Sequence, residues 1–483
     1  MHPTTIQHIL GLLLMVFSAT LLPPLAVAFL YGETDVFKAF ALALGFIFAL
    51  GLVAWLPVHN RRRDLRLRDG FMVVAMFWSV LGTVGAAPFL LVEELAISPV
   101  DAVFESVSGL TTTGATVIVG LDDLPRAILY YRQQLQWLGG MGIIVLAVAI
   151  LPMLGVGGMQ LYRAETPGPI KDQKLTPRIT ETAKALWYIY ISLTGLCALA
   201  YWGVGMTLFD AVGHAFATVA IGGFSTHDAS IGYYDSPWVM GVAIVFMLIS
   251  GANFALHFAA LRRRHLRIYW RDPECRAYLT SMAVISVVTI TYLYATQTLV
   301  GGDAVLHGVF QVVSIATTTG FTSAEYFVWP GFLPVLLLFS SFVGGCAGST
   351  GGGMKVVRCL LLYKQGKREI VRLIHPTAQI PVKMGQQPVS EQVINAVWGF
   401  FSVYVATFIA IMLALMAFGL DQVTAFSAVA ACINNLGPGL GEVSSNFAAI
   451  DDASKVMLCV AMLLGRLEIF TLLVLLTPHF WRR

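Results

Sequence analysis

Four glycines, Gly114, Gly223, Gly320 and Gly437, stand at equivalent places, each closing a short apolar stretch. The fourteen residues that end at each read DAVFESVSGLTTTG, DAVGHAFATVAIGG, HGVFQVVSIATTTG and TAFSAVAACINNLG. Two close on Thr-Thr-Thr-Gly and two open on Asp-Ala-Val. Glycine reaches backbone conformations that turn carbonyl oxygens toward a shared axis. A ring of such carbonyls replaces the hydration shell of a cation. The candidate ligand set is therefore Thr111, Thr112, Thr113 and Gly114; Ala220, Ile221, Gly222 and Gly223; Thr317, Thr318, Thr319 and Gly320; and Asn434, Asn435, Leu436 and Gly437. None of these is acidic. Neutral dipoles suit a large, easily dehydrated monovalent ion such as K⁺, whereas Ca²⁺ favours carboxylates. The threonine hydroxyls would hold the loops and offer a lower coordination site.

A second group stands below the third glycine. The run Gly344, Gly345, Cys346, Ala347, Gly348, Ser349, Thr350, Gly351, Gly352, Gly353 holds six glycines in ten residues. At about 1 kcal/mol each, these cannot sustain a helix. The run should break its span into a loop facing the pore, since irregular backbone at membrane depth survives only against a cavity or protein. That is the expected gate. The other reading is a kink for close helix packing. Arg466 lies near the middle of the last apolar span, where a charge is costly and marks function. Glu468, two residues on, does not share its helix face, so the arginine needs another partner. Asp101 and Asp210 open two of the short helices, as N-caps or as an outer cation-attracting ring. Glu105, one turn further in, reads as a hydrogen-bonded support for its loop.

These residues need a membrane to position them. The chain has 483 residues, 57% hydrophobic and 12% charged, with a mean hydropathy of +0.76. Soluble domains carry about twice that charge. A soluble enzyme, a nucleic-acid binder and a secreted disulfide scaffold are largely excluded. The six cysteines are scattered in or beside apolar segments, without metal-ligand spacing, and read as small buried hydrophobes. A bilayer span needs about 20 apolar residues. Ten stretches qualify: 6–31, 37–58, 71–94, 127–153, 184–206, 238–261, 278–299, 331–362, 394–419 and 453–478. Four others, near 100–113, 209–221, 306–319 and 423–436, are too short to span and read as re-entrant. The unit is helix, short re-entrant helix, glycine loop, helix, four times over. The expected fold is all-α and polytopic, potassium-channel-like in plan. Residues 1–69 form an N-terminal hairpin with its loop, and 70–160, 161–277, 278–393 and 394–483 form four pseudo-symmetric repeats.

Arginine and lysine cluster in 59–70, 154–184, 262–277 and 355–393, and these segments alternate with connections almost free of basic residues. The positive-inside rule makes the basic segments cytoplasmic. Both termini are then cytoplasmic, and all four short helices enter from outside. Most of the 27 acidic residues fall on the outer side, where they would concentrate cations.

The stretches TTTGAT (111–116), ATVAIGGFSTHDASIG (217–232), ATTTGFTS (316–323), GGCAGSTGGGMKVVR (344–358), NNLGPGLG (434–441) and GRLEIFTLLVLLTP (465–478) resemble those of the TrkH family. These are the membrane subunits of bacterial Trk potassium uptake systems, within the wider Trk, Ktr and plant high-affinity potassium transporter superfamily. The resemblance covers essentially the whole chain, including LQWLGGMGIIVLAVAILP (135–152). It implies a homodimer in the bacterial inner membrane with a K⁺ pore in each protomer. It implies a filter of one glycine per loop and a gate from Gly344 to Gly353 with Arg466 beneath the filter. It also implies a cytosolic TrkA-like ring of nucleotide-binding domains. No G-x-G-x-x-G occurs in the chain, so any nucleotide is expected on that partner. The competing reading is an alternating-access symporter driven by Na⁺ or H⁺. Like orientation of all four copies favours a pore. Ser349, His257 and His214 have no triad spacing, and no enzymatic activity is expected.

Overall fold

The computed structural model describes residues 3–60, 67–142, 179–467 and 469–481. Arg61, Arg62, Arg63, Arg66, Arg163, Lys171, Lys174, Arg178, the end of the 127–153 span and Glu468 lie outside them.

The N-terminal hairpin runs up through Pro3–Ala19 and Leu22–Tyr31 and returns through Thr34–Trp55. Its first arm breaks just ahead of Pro23 and Pro24, which lack the N–H a continuous helix needs. The arms meet at glycine. A Cβ on Gly11 would stand 2.8 Å from the carbonyl oxygen of Gly51, and the converse holds. The hairpin grips the first repeat through Glu33, whose carboxylate accepts from Arg126 N at 2.6 Å and Ala127 N at 3.1 Å. Those are orphan donors of the helix Arg126–Gly140.

Among the described residues, six helices are long and apolar enough to cross a bilayer: Pro3–Tyr31, Thr34–Val58, Asp69–Leu91, Lys184–Gly203, Pro273–Ala295 and Glu391–Ala417. Six of the ten expected spans, 6–31, 37–58, 71–94, 184–206, 278–299 and 394–419, are these helices; three others are interrupted, and 127–153 runs beyond the described residues. The 238–261 stretch is two helices, Pro237–Ser250 and Phe254–Arg263, bent by 92°. The 331–362 stretch breaks as expected, into Leu333–Val343 and Val356–Ile374 around the glycine run. The last stretch is Asp452–Arg466 followed by Phe470–Leu476. In repeats two, three and four one long helix stays whole and the helix after the glycine loop is interrupted.

The four short stretches are the helices Pro99–Leu110, Leu208–Ala220, Gly301–Ala316 and Gln422–Ile433. Three start at side-chain caps, Ser98, Thr207 and Asp421, each accepting from a first-turn N–H. Asp101 and Asp210 are therefore not the N-caps. They sit three residues further on and accept in return from the hydroxyls of Ser98, at 3.0 Å, and Thr207, at 2.7 Å, so cap and third helical residue bond each other.

Candidate functional site

The four short helices end alike. In each, the residue just before the glycine donates its N–H to the carbonyl five residues back: Thr113 to Ser108, Gly222 to Ala217, Thr319 to Ser314 and Leu436 to Ala431, at 2.8–2.9 Å. The residue two before the glycine has positive φ: Thr112 at 56°, Ile221 at 54°, Thr318 at 69° and Asn435 at 53°. The glycines follow at 80°, 81°, 83° and 102°. Left-handed backbone is costly for β-branched residues, and three of the four are β-branched. Such strain, of order 1–3 kcal/mol per residue, persists where the surroundings over-determine it and collects at functional sites.

The loops also close on one another in order. A Cβ on Gly114 would collide with the carbonyl oxygen of Gly222, one on Gly223 with that of Thr319, and one on Gly320 with that of Leu436. A Cβ on Gly437 would stand 2.9 Å from the carbonyl oxygen of Thr113. Each glycine thus backs onto the same position of the next repeat, and the fourth returns to the first. All four glycines border one cavity of about 370 Å³, walled otherwise by the loops that follow them and by Arg132. Hydroxyl pairs tie the threonine loops internally: Thr111 to Thr113 at 2.7 Å and Thr317 to Thr319 at 2.8 Å.

Side chains within the short helices hold the returning loops. Glu105 accepts from Val117 N at 3.0 Å and from the Thr116 hydroxyl, and pairs with Arg132 at 2.7 Å. Both charges are almost fully buried. At the same place in the next two copies, His214 bonds the Ser225 hydroxyl at 2.9 Å and Gln311 donates to the Ala324 carbonyl at 2.8 Å. The fourth copy has Ala428 there, and Ser427 beside it bonds Leu440 N and O at 2.9 Å. Gln136 clamps the second loop, donating to Gly222 O at 2.6 Å and accepting from Phe224 N at 3.0 Å. The supporting roles of Arg132, Gln136, His214 and Gln311 escaped sequence reasoning. The aligned windows did carry a signal: a polar residue in one column of three apolar helices.

The glycine run lies directly beneath this ring. Gly352 N donates to the Thr318 hydroxyl at 2.7 Å, and Gly353 N to the Asn434 carbonyl at 3.0 Å. The Thr350 hydroxyl donates to Val219 O at 2.9 Å. Gly344, Gly348 and Gly353 have φ of 67°, 72° and 73°. A Cβ on Gly351 would press on Thr317 O at 2.8 Å, and one on Gly352 on Asn434 O. Arg466 donates to the Thr350 carbonyl at 3.2 Å and to the Gly139 carbonyl. The run therefore touches the second, third and fourth repeats, and Arg466 adds the first. Glu274 was not singled out beforehand. Its Oε1 accepts from Ala347 N at 2.6 Å and Val357 N at 3.2 Å, tying both ends of the loop to the helix Pro273–Ala295.

Asp101 and Asp210 do not form a free outer ring. Asp101 pairs with Lys455 at 2.7 Å. Asp210 accepts from Thr226 at 2.8 Å and faces His227 at 3.9 Å. Ser349, His257 and His214 stay apart, each engaged in its own hydrogen bonds.

Apolar spans, four short helices and four glycine loops that close on one another define a polytopic membrane protein. The family model of TrkH, described as a cation transport protein, matches residues 37–482. The chain is 58% identical over 478 residues to the Trk system potassium uptake protein TrkH of Halomonas elongata, covering 99% of both. It is 55% identical, over the full length of both, to that of Escherichia coli K12. The crystal structure of the potassium transporter TrkH from Vibrio parahaemolyticus superposes with a TM-score of 0.91 at 54% identity, covering 100% of each chain. The chain belongs to the TrkH family of cation transport proteins.

Proposed function

We propose that this chain takes up K⁺ across the bacterial inner membrane through the ring at Gly114, Gly223, Gly320 and Gly437. The observation that carries this reading is the closed contact cycle, each glycine against the carbonyl of the next repeat. Inward carbonyls repay dehydration of K⁺ better than that of the smaller Na⁺. The names of the full-length relatives, potassium uptake proteins, support the same ion. Each repeat contributes one loop in the same sense, which favours a pore over an inverted-repeat symporter.

The loop Gly344–Gly353 is the gate in this reading and Arg466 its latch. A fixed guanidinium beneath the ring opposes a cation standing there, and its bonds hold the loop across the path. Both termini face the cytoplasm, with the basic segments. The active form is a homodimer that docks a TrkA-like nucleotide-binding ring on that side; the relatives' naming as parts of a Trk system supports further subunits.

The test is reconstitution in liposomes with ion flux measured under a voltage and under a pH gradient. K⁺ and Rb⁺ flux well above Na⁺ and Li⁺, driven by voltage alone, is expected. Equal Na⁺ and K⁺ flux would refute the filter assignment, and flux that requires a pH or Na⁺ gradient would favour the symporter.

A further inference from the structure

A crevice of about 680 Å³ opens between the bent helix pair Pro237–Ser250 and Phe254–Arg263 and the helix Pro273–Ala295. Leu248, Ala252 and Tyr278 line its inner part, while Arg264, His265 and Leu266 form an exposed rim. The polar atoms of its wall are already engaged. His257 bonds the Tyr269 hydroxyl at 2.7 Å and the Ile249 carbonyl at 2.9 Å, and the Tyr278 hydroxyl donates to Leu248 O at 3.3 Å. What remains facing the space is hydrocarbon, so the crevice suits an alkyl chain better than a polar metabolite.

The rim points to the source of that chain. Arg262, Arg263, Arg264, Arg267 and Arg271 are all exposed there. Between them Leu261, Leu266 and Trp270 are 67%, 77% and 66% exposed. Arginine alternating with exposed leucine and tryptophan is the composition of a segment lying in an anionic membrane interface. The neighbouring acids are turned elsewhere. Asp272 caps Cys275 N at 2.7 Å, and Glu274 binds the glycine run.

We propose that this crevice holds one acyl chain of an anionic glycerophospholipid, with its phosphate at Arg264 and His265, and that the bound lipid favours the closed glycine loop. Both walls are anchors of that loop. On one wall, Gly251 O accepts from Cys346 N at 2.8 Å and Phe254 N donates to Gly348 O at 3.0 Å. On the other, Glu274 holds Ala347 and Val357. An alkyl chain wedged between the walls braces them at the spacing seen here. The gating half of the inference rests on the transport reading above; the lipid site does not.

The experiment uses the full chain. Native mass spectrometry counts phosphatidylglycerol adducts, and K⁺ flux is measured in phosphatidylcholine vesicles with and without phosphatidylglycerol. Ala260→Trp fills the crevice from its buried wall. Arg264→Gln with His265→Gln changes only exposed side chains. Phosphatidylglycerol adducts should survive in the parent, vanish in Ala260→Trp, and bind about fivefold more weakly when one arginine is neutralised. Basal K⁺ flux should be lower with phosphatidylglycerol present, and that difference should disappear in Ala260→Trp and shrink in the rim variant. Equal binding of phosphatidylcholine, or adducts unchanged in the rim variant, would overturn the site. So would loss of dimer elution in Ala260→Trp, which would assign the crevice to a second copy. Adducts that behave as expected in a protein that passes no K⁺ would leave the lipid site standing and remove the transport reading.

Discussion

Arg466 donates from Nη1 to the carbonyl oxygen of Thr350 at 3.2 Å, across 116 residues of chain. The same guanidinium reaches the Gly139 carbonyl, on the opposite side of the glycine run in sequence. Arginine keeps its charge at every physiological pH, and its planar fork serves two acceptors at once. The sequence leaves the partner of Arg466 open beyond excluding Glu468 from its helix face. The structure uses the Thr350 carbonyl and spends the Thr350 hydroxyl on Val219.

In the proposed gating, Arg466→Ala removes the latch. A hydrogen bond to a charged group is worth about 1.5–3 kcal/mol. Basal K⁺ flux from liposomes lacking any partner should rise about tenfold or more and depend less on a cytosolic partner. A variant that elutes as the parent does, with unchanged or lower flux, would leave Arg466 a structural contact.

Gly114→Ser and Gly320→Ser each put a side chain into a neighbouring carbonyl at a φ of 80° or 83°. Both should lower the K⁺/Na⁺ flux ratio. Gly120 is the control: its φ is 74°, and a Cβ there meets nothing within 4 Å. Gly120→Ala should cost about 1 kcal/mol of stability from backbone strain alone and leave selectivity intact. A selectivity change as large in Gly120→Ala would break the link between ring contact and ion choice.

Arg132→Ala strands the buried carboxylate of Glu105. Breaking such a pair costs about 3–5 kcal/mol. The melting temperature in detergent should fall well below that of the parent, and pairing the change with Glu105→Gln should recover part of the loss. If the single variant melts like the parent, the pair does not hold the first loop.

His227 reports on pH. Burial alone would lower its pKa, but the nearby carboxylate of Asp210 and its bond to Asp122 outweigh that and raise it above the usual 6.5. A group whose folded pKa is raised contributes stability that is complete below the unfolded value and is lost as pH rises through the folded one. The melting temperature should therefore fall as pH climbs from about 6 upward, and His227→Gln should flatten that slope. An equal slope in the variant would locate the titration elsewhere.

Asp101→Asn leaves Lys455, whose side chain is 5% exposed, without its carboxylate partner. The loss should appear as lower stability, and any fall in K⁺ flux should be the same at low and high ionic strength. A flux loss confined to low salt would restore the outer attracting ring, since screening weakens only exposed charges.

The amino-acid sequence settled what depends on short stretches of chain. Apolar runs and scarce charge identified a membrane protein, because a bilayer span is a matter of local length. The windows ending at Gly114, Gly223, Gly320 and Gly437 located the four short helices to within a few residues. The glycine run announced its own break, since helix propensity is paid residue by residue. The cyclic contact from each glycine to the next repeat was not legible, because it joins residues that chain order keeps far apart. Nor was the 92° bend between Ser250 and Phe254, where a single Gly-Ala-Asn interrupts an apolar run. That bend is held by Cys346 and Gly348, which reach it only in the folded chain. Asp101 looked like a cap or a free charge until packing brought Lys455 against it. Pattern reads what a residue prefers by itself; which buried donor meets which acceptor is decided by tertiary packing, where an unmade bond costs more than a local preference returns.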